Sequence, residues 1–202
     1  MNEKFFSTEF ARSSKFKWDF VNKIKDIDRW QHLSNNFETY IKNLNYKTIS
    51  LKKIPKKIHQ IWLGNKKLPN RYKKWMNSWK LYNKDWDYKL WNEENIKELD
   101  IHNLDLYSNK MNPGFRSDII RYIILKTFGG IYIDTDFECL KSIPHDLLRY
   151  KFVSCTIFDY HPVIANGMMM CCPDYVLVNK ILDIINIKNY NNNINDILNN
   201  SG

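Results

Sequence analysis

The alternation of apolar and polar positions divides the chain into a helical stretch followed by a mixed one. Over residues 15–44 apolar side chains recur three, four or seven apart: Phe16, Phe20, Ile24, Ile27, Trp30, Phe37, Ile41 and Leu44. That period predicts a helix, or a helical hairpin broken at Ser34-Asn35-Asn36. From Ile54-Pro55 onward the period switches repeatedly. Residues 57–63 read as a strand closed by Gly64, and Pro69 opens a helix through Lys80 with Trp75 and Trp79 four apart. Residues 87–91 alternate as a second strand, and 93–99 form a weaker helix. Pro113-Gly114 introduces an amphipathic helix over 117–128, which a Gly-Gly break separates from the short strand Ile131-Tyr132-Ile133. Residues 152–158 and 163–172 read as two more strands and 175–187 as a helix. Strands alternating with helices predict an α/β domain with a mostly parallel sheet and helices on both faces. The expected organisation is an N-terminal helical segment (1–50), the α/β domain (54–188) and an Asn-rich tail (189–202).

The short strand is the informative element because Asp134 and Asp136 follow it directly. The carboxyl end of a buried strand is the edge where open α/β sheets hold ligands. Two hard oxygen ligands there suit Mg²⁺ or Mn²⁺ on a diphosphate, whose charge the ion neutralises during group transfer. Asp-x-Asp occurs three times, at 26/28, 85/87 and 134/136, so the pattern alone is weak. Context separates the three. Asp26 and Asp28 lie in a helical pattern, and Asp85 and Asp87 flank Trp86 at a turn, where solvated acids are ordinary.

In the helix before that strand, Asp118 and Arg121 are three apart on one face. An exposed pair of this kind contributes only about 0–1 kcal/mol. Because their helix feeds into the carboxylate strand, they are read as site residues. Asp118 suits a ribose hydroxyl, and Arg121 suits phosphate or sugar oxygens. Trp62 ends the first strand on the same edge, either as core or as a flat face for a nucleobase. His59 reads as a satisfied strand histidine that would serve as general base only if it reached the site. His161 and Asn166 are either acceptor contacts or turn formers.

Charge and cysteines narrow the class. A formal net charge of +9 admits nucleic acid, an anionic membrane or a phosphorylated small molecule as partner. The lysines are scattered, densest at Lys52, Lys53, Lys56 and Lys57, with no finger or RNA-binding signature, so nucleic acid is not expected. The N-terminal segment reads as a packed helix with solvated lysines. The alternative is a basic amphipathic surface making a peripheral membrane contact. The four cysteines have no metal-binding spacing, and Cys171-Cys172 reads as reduced core. With no secretory signal and no long apolar window, a cytoplasmic location is expected.

The blocks IPKKIHQIWLG, YKLWNEEN and RSDIIRYIILKTFGGIYIDTD, in that order, resemble the glycosyltransferases with a DXD sugar-binding motif (glycosyltransferase family 32). That family includes yeast initiating mannosyltransferases and bacterial capsular sugar transferases, with clostridial glucosylating toxins more distant. The resemblance covers residues 54–175 and implies a GT-A, Rossmann-like fold. It implies metal-dependent, retaining transfer of a hexose from a UDP- or GDP-sugar to a glycan, lipid-linked or protein acceptor, as in polysaccharide biosynthesis. Block by block, it implies Trp62 on the base, Asn92 near the nucleotide, and Asp118, Arg121 and Tyr132 around ribose and sugar. Asp134 would bond sugar or ribose and share the Mn²⁺ or Mg²⁺ site with Asp136, the metal ligand on the diphosphate. Family members continue into a segment that closes over the diphosphate, where this chain has its Asn-rich tail. The alternative function is a catalytically weak relative that binds nucleotide sugar or glycan as an interaction partner.

Overall fold

The computed structural model describes residues 53–101, 111–157 and 163–187, together with Asn35. Asp26, Asp28, His161, the Asn-rich tail and all but one residue of the N-terminal helical segment lie outside them. Asn35 is helical. By packing, the chain divides into two units, residues 1–49 with 154–165 and residues 50–153 with 166–202. In the first, the Ser154 hydroxyl donates to the Ala165 carbonyl at 2.9 Å. The second carries the site described below.

Five strands form one sheet: β1 (Lys57–Ile61), β2 (Asp87–Trp91), β3 (Gly130–Ile133), β4 (Phe152–Ile157) and β5 (Val163–Cys171). Their order is β2-β1-β3-β5-β4. β1 pairs parallel with both β2 and β3, whereas β5 runs antiparallel to β3. The parallel part is as expected, and the antiparallel turn at β5 is the departure from it. The antiparallel register runs from Gly130 opposite Cys171 to Ile133 opposite Met168.

Among the described residues three helices flank the sheet: α1 (Asn70–Tyr82), α2 (Pro113–Phe128) and α3 (Val176–Ile187). The strands distribute their side chains with period two. Ile61, Trp91, Tyr132, Met169 and Cys171 join the core under α2 and α3, while Ile58, Ile131, Ile133 and Met170 join the core under Trp79 of α1. Helices therefore cover both faces. Trp91 is fully buried, and truncating so large a side chain to alanine costs about 4 kcal/mol.

Helix α2 differs from its expected form in two ways. It begins at Pro113 rather than Ser117, because proline suits the first helical position and the Asn112 side chain accepts the Gly114 N–H at 2.8 Å. It is also buried nearly all round, not amphipathic: Phe115, Ile119, Ile120, Tyr122, Ile123, Ile124 and Leu125 are all in the core. A helix packed against a sheet on one side and another helix on the other needs no wet face. It ends at Gly129-Gly130, both at positive φ. A Cβ on Gly130 would lie 2.5 Å from the Lys57 carbonyl, so the tight entry into β3 requires glycine. Residues 93–99, expected as a weak helix, form a 3-10 turn at Asn95–Glu98. A second such turn, His145–Arg149, was not anticipated.

Candidate active site

β2 and β3 lie on opposite sides of β1, so the chain leaves the sheet in diverging directions at the carboxyl ends of β1 and β3. That divergence is the topological switch point where α/β sheets open a crevice. Trp62, Gly64, Asn92, Asp134 and Asp136 all stand on this edge, directly after their strands.

Four of the expected site residues form one connected group. Tyr132 projects toward α2, and its hydroxyl donates to Asp134 Oδ1 at 2.5 Å. Arg121 lies with its guanidinium carbon 4.7 Å from the Tyr132 ring centroid, donates to Asp118, and approaches Asp134 to 3.7 Å. The i,i+3 spacing on α2 brings Asp118 against Arg121. Burial alone disfavours the charged guanidinium, but Tyr132, Asp118 and Asp134 outweigh it and hold its pKa above the ordinary arginine value. Burial, which the nearby Arg121 charge only partly offsets, pushes the Tyr132 hydroxyl well above its ordinary range, so it acts as a donor. The result is a fixed positive charge flanked by carboxylates, with every orientation set by buried partners.

The two aspartates of the doublet differ. Asp134 is anchored through its backbone as well, its N–H on the Gly167 carbonyl at 2.9 Å and its carbonyl receiving the Gln60 side chain at 3.1 Å. Gln60 in turn accepts from the Tyr88 hydroxyl at 2.8 Å. Asp136 is exposed and makes no hydrogen bond or ion pair among the described residues. Its turn is held from below: Phe137 N–H reaches back to the Asp134 carbonyl at 3.2 Å, and Trp79 of α1 donates to the Phe137 carbonyl at 2.9 Å. Among the described residues no group of three His, Cys, Asp or Glu side chains could hold a metal ion. The doublet nonetheless fits the Mg²⁺ or Mn²⁺ pattern, in which one or two carboxylates bind and substrate phosphates and water complete the shell.

The other expected residues are placed as follows. Trp62 is partly buried just beyond β1; its indole N–H donates to the Lys66 carbonyl at 2.7 Å and its ring meets Tyr72 edge-on at 5.8 Å. Asn92 caps the turn after β2, its Oδ1 accepting the N–H groups of Glu94 and Asn95 at 3.0 and 3.1 Å. Asn166, on β5, hydrogen-bonds Tyr122 of α2. His59 is satisfied, as expected: Nε2 donates to the Gly129 carbonyl at 3.0 Å, while Nδ1 accepts from Trp91 at 3.1 Å. Burial pushes its pKa down to about 4, so it stays neutral near pH 7. Asp85 pairs with Lys56 and Asp87 starts β2, leaving both as exposed acids away from the doublet. All four cysteines are free, with Cys171 and Cys172 buried.

Three contributors were not foreseen. Glu93 receives Arg116 through both carboxylate oxygens, at 2.8 and 2.7 Å, and also the Gly64 N–H at 2.8 Å. Arg116 holds the Glu93 carboxyl below its usual range, against the opposing effect of partial burial. This clamp joins the loops after β1 and β2 to the start of α2. Gly167 packs under Asp134, where a Cβ would come within 2.7 Å of Oδ2. An isolated glycine inside a strand pattern is the available signal for such a close approach. For Glu93 and Arg116, 23 residues apart, no local pattern exists.

Asp-x-Asp thus directly follows the strand at the switch point of this five-stranded sheet. Residues 69–153 match the family described as "Glycosyltransferase sugar-binding region containing DXD motif", the family that the three sequence blocks resembled. The chain is 29% identical over 151 residues to an uncharacterised glycosyltransferase of Acanthamoeba polyphaga mimivirus, covering 67% of this chain and 60% of that one. It is 35% identical over 104 residues to inositol phosphoceramide mannosyltransferase 3 of Schizosaccharomyces pombe, covering 48% and 28% respectively. In structure it is similar to the PaToxG glycosyltransferase, with a TM-score of 0.57 at 20% identity over 88% of this chain and 76% of that one, a likeness of fold. The chain thus spans less than two thirds of these curated relatives' length.

Proposed function

We propose that the domain transfers a hexose from a nucleotide diphosphate sugar, UDP- or GDP-linked, to a glycan, lipid-linked or protein acceptor, with retention of configuration. The observation that carries this reading is the Asp118–Arg121–Tyr132–Asp134 group beside the free carboxylate of Asp136. Four of the similar proteins bear mannosyltransferase names, so a mannosyl donor heads the panel to be tested.

In this reading Asp136, with Asp134, holds Mn²⁺ or Mg²⁺, which supplies charge neutralisation at the diphosphate. Arg121 adds a fixed cation that stabilises the departing nucleoside diphosphate without reorganising, because Asp118 and Tyr132 already hold it in place. Asp134, with its rotamer set by Tyr132, accepts a hydrogen bond from a sugar or ribose hydroxyl. Trp62 offers an indole face to the base. The acceptor hydroxyl attacks the anomeric carbon on the face from which the diphosphate leaves and passes its proton to the departing phosphate oxygen, which would give retention without a carboxylate nucleophile.

The test is donor binding and hydrolysis by the purified chain. A nucleotide sugar that prefers the folded state raises the melting temperature, so the reading expects a Mn²⁺-dependent shift with at least one donor, and slow release of sugar. Asp136→Ala should abolish both, while its exposed position leaves the unliganded melting temperature unchanged. Donor uptake or hydrolysis that ignores chelator and survives Asp136→Ala would overturn it.

A further inference from the structure

From Lys66 to Lys84 the chain carries seven lysines and arginines and no aspartate or glutamate. In sequence these bases look scattered; folding gathers them. The loop before α1 exposes Lys66 and Lys67, and the first two turns of α1 expose Arg71, Lys73 and Lys74. None of the four lysines makes an ion pair with a described residue. Further along the helix, at its last turn, the exposed surface is apolar and aromatic. Leu81 is 60% and Tyr82 45% exposed, and the Trp75 ring lies one helical turn from Arg71 on the same stripe as Tyr82.

We infer that this face of α1 and its preceding loop docks on an anionic lipid surface. Lysines with no ion-pair partner among the described residues, followed on the same helix by a protruding leucine and an amphipathic tyrosine, match the chemistry of an interfacial helix on acidic headgroups. Nucleic acid fits less well, since it needs open aromatic faces for base stacking. Here the Tyr72 and Trp75 rings stack on each other at 5.3 Å, and Arg71 lies over both at 5.2 and 5.7 Å. The basic loop is tied to Trp62 through the Lys66 carbonyl, so a docked face would stand next to the carboxyl edge of the sheet. The inference does not depend on the donor chemistry proposed above.

The test is co-sedimentation of the purified chain with phosphatidylcholine vesicles containing about one third phosphatidylserine, against pure phosphatidylcholine. Wild type should bind the acidic vesicles, and raised salt should weaken binding. Lys66→Gln, Lys67→Gln, Lys73→Gln and Lys74→Gln together should weaken it about tenfold or more, a modest fraction of what four surface cations contribute. The pair Leu81→Ser and Tyr82→Ser should weaken it severalfold. A control that neutralises Lys97, Lys126, Lys151 and Lys180, all exposed elsewhere, should bind as wild type. Equal loss in the control, undiminished binding in the four-lysine variant, or tighter binding to a single-stranded oligonucleotide than to acidic vesicles at the same salt overturns the inference.

Discussion

The Tyr132 hydroxyl donates to Asp134 Oδ1 at 2.5 Å from a ring that is only 2% exposed. A side chain so enclosed cannot move without disturbing the core, so the rigidity of β3 passes directly to the first carboxylate of the doublet. Arg121, 3.7 Å from the same oxygen, is the next partner available. Removing only the hydroxyl, in Tyr132→Phe, frees Asp134 to turn toward Arg121 while the ring keeps its packing. The expected outcome is a stability change within about 1 kcal/mol, the size of one hydrogen bond, and a fall in donor turnover of about tenfold. Denaturant melts and hydrolysis rates measure the two, and an unchanged kcat/KM would show that Asp134 needs no such orientation.

The Glu93–Arg116 clamp makes an asymmetric prediction. Arg116 is 3% exposed, whereas the Glu93 side chain is 40% exposed. Replacing Glu93 by Gln leaves a buried guanidinium without its carboxylate, which is costly. Discounted for the open side of Glu93, the loss should be about 2 kcal/mol. Adding Arg116→Met to that variant should recover part of it, because the stranded charge is removed with a side chain of similar length. A double-mutant cycle by urea denaturation checks this; simple additivity would mean that the clamp carries no coupling.

How much of this was legible beforehand follows from the range of each interaction. Strand and helix periods are local, so β1, β2, α1 and the α2–β3 unit could be placed from the runs at 57–63 and 87–91, the Trp75–Trp79 spacing and the Gly-Gly break before Ile131. The Asp118–Arg121 contact was legible for the same reason, being one helical turn long. What stayed hidden was tertiary. Glu93 and Arg116 are 23 residues apart and Tyr88 and Gln60 are 28 apart, and no period connects them. The burial of Arg116 and Arg121 on α2 was hidden too, because it depends on Glu93 beyond β2 and on Tyr132 of β3, which only the fold brings against them. Asn92 shows the converse limit. A polar residue after a strand reads equally as a ligand contact or a turn cap, and its Oδ1 is bound to the turn.

His59 sets an acid limit on stability. It protonates near 6.5 when exposed but only near about 4 in the folded state, chiefly because burial disfavours the charge. Between those values the unfolded chain binds more protons, so stability rises with pH. The contribution is complete above about pH 6.5 and is lost as pH falls toward 4, by about 3 kcal/mol. His59→Gln retains an amide that can donate to Gly129 and accept from Trp91 but does not titrate. Urea melts from pH 7 to 4 should therefore fall more steeply for wild type than for the variant, and parallel curves would contradict the assignment. Carboxylates titrating over the same range affect both proteins alike and cancel in the difference.

Gly167→Ala separates the site from the scaffold. The backbone there does not have the positive φ that strains an L-residue, so alanine fits β5 conformationally. Its Cβ, however, would stand 2.7 Å from Asp134 Oδ2, closer than carbon and oxygen can approach. The atom in the way is the end of a partly exposed side chain, and the carboxylate can swing aside at little cost to the fold. Stability should change by less than about 1 kcal/mol, in line with substitutions that avoid core strain. Donor hydrolysis should fall about tenfold or more, because a displaced Asp134 loses both its Tyr132 hydrogen bond and its place beside Asp136. If melting and hydrolysis fell together, the glycine would be serving the sheet; if neither fell, the position of the Asp134 carboxylate would be irrelevant to the chemistry.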